Sequence, residues 1–315
     1  MVGPWKKHLA HSAEGRFLAE GWLKAAVKHL NKPNESIITV LKKNLEGYKV
    51  GRPRTVLHAS DVTKDGFCPR LEAFLDLEEK PLSPGMYTPA ALQATFDVGS
   101  ALERLIVEEW GGESIIGNWR CRICGKSATM CSKPGLQNGT HLHDWEYMQW
   151  PAVSNEYGIS GSVDSLWALG TPLWMMAELK IMAPDEFASI VAPLSEHRIR
   201  TNLYMKIIGD SDSPYKDRVN LHEARVMYTS RAYGKKNDVH GGEILPWKEF
   251  VVERNDKDLV QILDRAKQLK VFRQEQKMPA GICATALDKR AKKCDQCQLC
   301  FSGKHPAQQP DLLSF

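Results

Sequence analysis

The sequence predicts a mixed α/β fold in which a sheet is interleaved with helices. Three observations predict it. Short β-type runs occur at 158–168, 173–182, 223–231 and 247–253. Runs of helical periodicity lie before, between and after them. Two Cys-rich segments, at 121–131 and 283–300, have little periodicity of their own. A helical lead, a sheet with interleaved helices and a Cys-rich end make α/β the natural class.

The elements follow in order. Ser12 to Leu30 has apolar residues at helical spacing and ends at the breaker Asn31-Lys-Pro-Asn, which predicts an amphipathic packing helix. Gly66-Phe-Cys-Pro-Arg marks a turn and a helix start, and Pro81, Pro84 and Pro89 mark a loop. From Asp97, the positions Val98, Ala101, Leu102, Leu105 and Ile106 fit one helix face, which stops at Gly111-Gly112. Residues 118–143, rich in Gly, Cys, His and Lys, read as a small insertion held by a metal rather than by a core. Gly158–Ala168 and Leu173–Met182 read as strands joined by Gly170-Thr-Pro. Ser195–Ile208 is a helix, Glu223–Arg231 and Trp247–Glu253 are strands, and Asp256–Gln274 is a helix. The expected organisation is a helical lead at 1–54, a main domain at 55–301 and a tail at 302–315. Within the main domain lie the insertion at 118–145 and the Cys-rich segment at 279–301.

The 315 residues carry a net charge of +4, with 43% hydrophobic and 25% charged residues. That composition suits a globular chain with a buried core. The mildly basic balance is compatible with a polyanionic partner. No apolar run approaches the roughly 20 residues needed to span a bilayer, so no membrane contact is expected. The start lacks the apolar stretch of a signal peptide, which predicts a cytoplasmic protein, in the host cytoplasm if phage-encoded. In a reducing compartment, eight cysteines read as metal or cluster ligands rather than disulfides.

Chemistry concentrates at Gly161-Ser-Val-Asp164 and Glu178-Leu-Lys180. On a strand, Glu178 and Lys180 share a face while Leu179 points away. A turn centred on Thr171 places Asp164 opposite Glu178 in an antiparallel pair, with Cβ atoms about 4.5–5.5 Å apart. Two carboxylates that close repel unless a cation separates them. Oxygen-only ligands suit Mg²⁺ or Mn²⁺, and Lys180 beside them can orient water and stabilise developing charge.

These motifs resemble motifs II and III of the PD-(D/E)xK nucleases. The resemblance implies a restriction-endonuclease-like core, a mixed central sheet flanked by helices, in which Asp164, Glu178 and the backbone carbonyl of Leu179 bind the metal and Lys180 assists catalysis. Gly99-Ser-Ala-Leu-Glu103 stands where the family has Gly-x-x-x-His/Glu, so Glu103 is expected at the metal site as a catalytic residue. This chain has Glu where the RecB-like branch typically has His. His197-Arg-Ile-Arg-Thr-Asn-Leu-Tyr204 resembles the His-x-x-Gln-x-x-x-Tyr helix that follows the catalytic strands, with Arg200 in place of Gln. Arg200 and Tyr204, neighbours on one helix face, are expected at DNA.

Four cysteines within 283–300 are a strong ligation signal. RecB-like nucleases, including CRISPR-associated, AddB-type and phage-encoded relatives, join one Cys-Pro-Arg cysteine to three C-terminal ones around a 4Fe–4S cluster. That resemblance implies a Cys-rich clip built from Cys68, Cys283, Cys294 and Cys300, with Cys297 replacing Cys283 as the alternative. Zinc is compatible with the same thiolates. Separately, Cys121-Arg-Ile-Cys124-Gly is a zinc-knuckle pattern. Either Cys131 with one of His141 and His143, or both histidines, would complete a Zn²⁺ site. Arg120, Arg122, Lys126 and Lys133 surround it and are candidates for contact with nucleic-acid backbone.

The reading is a metal-dependent DNA exonuclease that hydrolyses phosphodiesters by metal-activated water. Its partner would be DNA, as ends or single strand, in recombination, repair or phage replication, with replication or recombination proteins as further partners. Two alternatives stand beside it: a CRISPR-adaptation-type nuclease, and a non-catalytic nucleic-acid-binding protein on the same scaffold.

Overall fold

The computed structural model describes residues 37–49, 56–78, 86–135, 142–231 and 245–302. The expected helix at 12–30 lies outside the described residues, as does His141. The chain forms two compact units, one of Met1–Gly47 with Thr88–Gln93, the other of Tyr48–Tyr87 with Ala94–Phe315. In the first, the described residues include helix α1 (Ile37–Leu45). Strands β1 (Gly47–Lys49) and β3 (Met86–Thr88) pair as a small two-stranded sheet.

The second unit is mixed α/β. Its larger sheet has seven strands, in the order β12-β11-β10-β9-β4-β5 with β6 also paired to β4. These are β4 (Ile115–Cys121), β5 (Ser127–Cys131), β6 (Trp145–Met148), β9 (Ser165–Trp167), β10 (Met175–Met182), β11 (Glu223–Ser230) and β12 (Trp247–Glu253). A second sheet has three strands, in the order β2-β8-β7: β2 (Leu57–His58), β8 (Ile159–Val163) and β7 (Trp150–Ser154). Pairs β10–β11 and β2–β8 are parallel and the others antiparallel. The sheets are therefore mixed, as expected.

Parallel neighbours need a crossover, because a hairpin cannot reverse the chain twice. Between β10 and β11 it is supplied by α5 (Pro184–Ser189) and α6 (Ser195–Asp210). Helix α6 packs on β10, β11 and β12 of the large sheet and on β7 of the small one. It buries Leu203, Met205, Ile207 and Ile208 completely or nearly so. Each such side chain contributes roughly 1.5–3 kcal/mol of transfer free energy. Met175–Leu179 of β10 is buried without alternation, so both faces of that stretch are covered.

The remaining helices are α2 (Ala59–Val62), α3 (Pro69–Leu77), α4 (Ala90–Arg104), α7 (Val260–Glu275) and α8 (Cys297–Phe301). Helix α4 begins upstream of the expected Asp97 and continues into a π-helical turn, Leu105–Trp110. Helix α7 is preceded by a 3₁₀ turn at Asp256–Leu259, where a single helix was expected. Helices α3 and α7 pack together, tied by Arg273 to Asp76 at 2.9 Å.

Two expectations need correction. The described residues of 118–143 are not an insertion without a core. The alternating Trp119, Cys121, Trp145 and Tyr147 are buried, and this period of two builds β4 to β6 into the large sheet. The run 158–168 is not one strand either. It breaks at Asp164, leaving β8 in the small sheet and β9 in the large one.

Candidate functional site

The β9–β10 register pairs Met175 with Trp167, Met176 with Leu166 and Ala177 with Ser165. Continued by one residue, it sets Glu178 against Asp164, the pairing the turn at Thr171 predicts. Gly170 has φ +77° there, a conformation glycine adopts without strain. Pairing stops at that point because the chain before Ser165 turns away into the other sheet. On its β9 side, β10 therefore has peptide groups with no strand to bond.

Side chains take the place of the missing strand. Asp164 Oδ2 accepts a hydrogen bond from Leu179 N at 2.8 Å, and Lys180 Nζ donates to Leu179 O at 2.9 Å. Lys180 Nζ also lies 2.7 Å from Glu178 Oε1 and 3.5 Å from Asp164 Oδ2. The cation between the two carboxylates is thus the Lys180 ammonium. Burial alone lowers the Lys180 proton affinity, but Asp164 and Glu178 outweigh it and raise the pKa above its ordinary value.

Glu178 is 3% exposed. Burial first, then the charge of Asp164, push its pKa up to about 7, against the opposing pull of Lys180 and Arg200. Glu103, near the end of α4, joins from a second element. Its pKa is raised by burial and then by Asp164. Gln149 links the two, with Nε2 at 2.9 Å from Glu103 Oε1 and 3.3 Å from Asp164 Oδ1. Sequence reasoning missed Gln149, because an isolated polar residue between Met148 and Trp150 carries no motif.

Arg200 and Tyr204, expected at DNA, both turn inward toward the site. The Arg200 side chain is 13% exposed and turns inward to Glu178 Oε1 at 3.2 Å, with Glu196 as its other partner. Tyr204 is 5% exposed and packs on Gly161, where a Cβ would lie 2.8 Å from the ring. Burial, then Glu178 and Asp164, raise its hydroxyl pKa. His197, on the same helix, meets the buried Tyr228 hydroxyl at 2.9 Å through Nδ1. Burial, then Lys180 and Arg200, lower its pKa to about 4.

A second group of ligand-type residues lies at the β4–β5 turn and before β6. Cys121, Cys124 and His143 bring one ligand atom each within 4.8 Å of one another, so they could hold a metal ion. Among the described residues, no other group of three His, Cys, Asp or Glu is as close. Cys124 Sγ lies 3.6 Å from His143 Nδ1. Gly125, at φ +73°, closes the turn, with its N–H donating to Cys121 O at 2.9 Å. Burial works against the Cys121 thiolate, but hydrogen bonds from Cys124, His143, Ile123 and Asp144 draw its pKa down to about 5. Cys131 does not belong to this group. It pairs with Gly117, four residues along β4 from Cys121, which is about 13 Å of strand.

Three of the basic residues around this turn have acidic partners. Arg120 pairs with Glu146 at 3.1 Å. Lys133 donates to Glu108 O at 2.7 Å and pairs with Glu109 at 3.2 Å. Arg122 reaches Asp144 at 3.0 Å and both oxygens of Glu108 at 3.2 Å. Glu108 is buried in the π-helical turn that continues α4, and also accepts from Tyr147 N at 3.1 Å.

The third constellation rings a small cavity lined by Cys68, Cys283, Cys294, Cys297 and Cys300, with Leu71, Phe74 and Ile282. Cys68 caps the start of α3, and the C-terminal segment is tied back to that region. Arg70 Nε donates to Pro279 O at 2.8 Å, Arg290 pairs with Asp65 at 2.7 Å and Gln296 bonds Glu78 at 2.9 Å. Burial, then Asp288, Cys68, Cys294 and Cys300, raise the Cys283 pKa. Cys297, which also lines the cavity, donates from Sγ to Ala286 O at 4.0 Å. A larger cavity of about 520 Å³ is lined by Trp150, Tyr215, Glu156, Asp210 and Asp212 among others, and shares no residue with these three sites.

No family model matches the chain, and no curated protein matches it. Among solved structures it is similar to one titled "Crystal structure of SSO0001", at 12% identity and a TM-score of 0.31, over 81% of this chain and 86% of that one. A likeness that slight carries no argument about fold or activity. No described helix is long and apolar enough to cross a membrane.

Proposed function

We propose that this chain is a divalent-cation-dependent deoxyribonuclease of the PD-(D/E)xK type, acting on DNA ends. One observation carries the reading: Asp164, Glu178, Glu103, Lys180 and the Leu179 carbonyl converge where β9 leaves β10. The donor set fits a hard cation such as Mg²⁺ or Mn²⁺, because every candidate ligand atom is oxygen. The pKa values of Glu178 and Glu103 are raised by burial first and by the charge of Asp164 second, and such an ion would offset that charge. When bound, the ion would polarise a phosphodiester oxygen and favour hydroxide at neutral pH.

The chain's own residues then have separable tasks. Asp164 and Glu178 bind the cation, and Leu179 N–H fixes the orientation of Asp164. Arg200 holds Glu178 from the helix side. Lys180 keeps its proton on Nζ through the two carboxylates. From there it can orient water and donate a hydrogen bond to the charge that builds on phosphate oxygens.

The test uses end-labelled linear and circular DNA, single- and double-stranded, with Mg²⁺, Mn²⁺ or EDTA. Linear substrates should be degraded and circular ones spared. Lys180→Ala should lower the rate about 10²–10⁴-fold, the range for a positioned proton-handling or charge-stabilising group. A wild-type protein that leaves all substrates intact with both metals would refute the activity.

For the cysteines, we infer zinc at Cys121, Cys124 and His143, and a 4Fe–4S cluster at Cys68, Cys283, Cys294 and Cys300. Mixed Cys and His ligands at single-ion spacing support the first. The second is supported by thiols that ring a cavity without closing to the spacing of one ion.

A further inference from the structure

We infer that Gln149 is a ligand of the divalent-cation site, an inference that rests on the assignment of Glu103 and Asp164 to that site. Gln149 and Asp164 occupy equivalent positions in the backbone. Strands β7 and β8 pair antiparallel, with Trp150 against Val163 at their end. One residue further, the register sets Gln149 against Asp164. Both are transfer points between sheets: Gln149 joins β6 of the large sheet to β7 of the small one, and Asp164 joins β8 to β9. On either side of Gln149 the chain is anchored, by buried Tyr147 two residues before and by Trp150, 1% exposed, directly after. The backbone is flanked by buried anchors while Gln149 itself is an exposed residue.

The carboxamide group stands between two acceptors. Its Nε2 donates to Glu103 Oε1 at 2.9 Å and to Asp164 Oδ1 at 3.3 Å. Only the amide NH₂ end suits this position, because the carbonyl end would face two carboxylates with no hydrogen to share. Among the described residues, Glu103, Asp164 and Glu178 do not form a three-ligand group within 4.8 Å. An amide nitrogen fills the gap that a cation would take.

A divalent cation between Glu103 and Asp164 cannot share that place with an N–H donor. Rotation of the carboxamide by about 180° about its terminal bond exchanges NH₂ for C=O without moving the backbone, since that torsion is broad and two-fold. Gln149 then offers Oε1 to the ion, the oxygen-donor chemistry hard cations select. A glutamine serves both states, as a donor that quiets two carboxylates before the ion arrives and an acceptor afterwards. Leucine can do neither, and glutamate only the second.

The experiment is Mn²⁺ titration of the full-length protein, with free ion followed by electron paramagnetic resonance. It compares wild type, Q149L, Q149E and D164N, with thermal unfolding in EDTA as the check on folding. D164N identifies the binding component that belongs to this site. Q149L should weaken that component by about tenfold or more, the scale on which metal sites lose affinity when a supporting group is removed. Q149E should restore or exceed wild-type affinity while lowering the Tm in EDTA, because three carboxylates then meet without a donor. If D164N and wild type bind Mn²⁺ alike, the cation-site assignment fails and this inference fails with it. If D164N binds weakly while Q149L matches wild type, the assignment stands and Gln149 is no ligand.

Discussion

Replacing Gly161 by alanine tests the packing that holds the candidate site together. Gly161 lies in β8, three residues before Asp164, and its φ is not in the left-handed region. The backbone therefore accepts an alanine, and only the space is at issue. A Cβ at this position would lie 2.8 Å from Tyr204 Cε1, 3.0 Å from its hydroxyl and 3.1 Å from Ala59 Cβ. These contacts come from two separate elements, α6 and α2, so both must give to admit the new Cβ. Tyr204 is 5% exposed and Ala59 fully buried, which leaves little room for relaxation. Overpacking of this kind costs about 1–3 kcal/mol. With two walls closer than ordinary van der Waals distance, the upper half, about 2–3 kcal/mol, is expected. Denaturant unfolding in EDTA should show a lower midpoint with an unchanged slope. Tyr204→Ala alone should cost about 3–5 kcal/mol through the cavity it leaves. The double variant should cost less than the sum, because the ring that the new Cβ meets is gone. Gly161→Ala within about 0.5 kcal/mol of wild type, the spread of ordinary surface changes, or strict additivity with Tyr204→Ala, would refute the close approach.

Other variants probe the remaining constellations. Arg122→Met leaves the buried Glu108 carboxylate facing only Tyr147 N, so stability should fall by about 2–3 kcal/mol, less after discounting the part-exposed Arg122 side chain. Combination with Glu108→Gln should recover much of that loss; no recovery would mean the pair is incidental. His197 has its folded pKa lowered to about 4, against an unfolded value near 6.5. Between those values the unfolded chain binds more protons, so this residue's contribution to stability is present above pH 6.5 and is lost as pH falls toward 4. His197→Gln should flatten that part of the stability–pH curve by about 2 kcal/mol, and an unchanged curve would show that His197 is not held neutral. For the Cys-rich cavity, Cys283→Ser should abolish the brown colour and broad absorbance at roughly 400 nm of anaerobically purified protein, while Cys297→Ser should keep them. The opposite pattern would exchange the two cysteines.

What could be read from the sequence divides along a physical line. The Glu178–Asp164 register was legible because it depends on local arithmetic, a turn at Gly170–Pro172 and a strand period of two. Helix α6 and strand β12 were legible at nearly their observed bounds because each is a long run with clear flanks. The π-helical turn at Leu105–Trp110 was not, since its apolar spacing also fits a regular α-helix. The strands β4 to β6 were hidden by their cysteines and glycines, which drew the eye from the alternating Trp119, Trp145 and Tyr147. Arg200 and Tyr204 were assigned by residue type to DNA. Their inward orientation depends on Glu178 and Gly161, which are close in space and distant in sequence.

The break at Asp164 matters most for the chemistry, and no local signal announces it. Residues 158–168 would make a longer strand if they stayed in one sheet, and Leu179 N–H and C=O would then bond to that strand. Because the chain before Ser165 belongs to the other sheet, those two groups would cost roughly 1–3 kcal/mol each if left buried and unpaired. Asp164 accepts from the first and Lys180 donates to the second. The same departure exposes one edge of β10 to the approach of Glu103 and Gln149 from other elements. The site is therefore the gap left by a strand that changes sheets. Its residues are the ones that can satisfy the backbone there and still present oxygen atoms to a cation. That dual demand explains why an aspartate stands at the transfer point: asparagine could accept from Leu179 N–H but would bring no charge, and glutamate would place its carboxylate one methylene too far from the peptide it must reach.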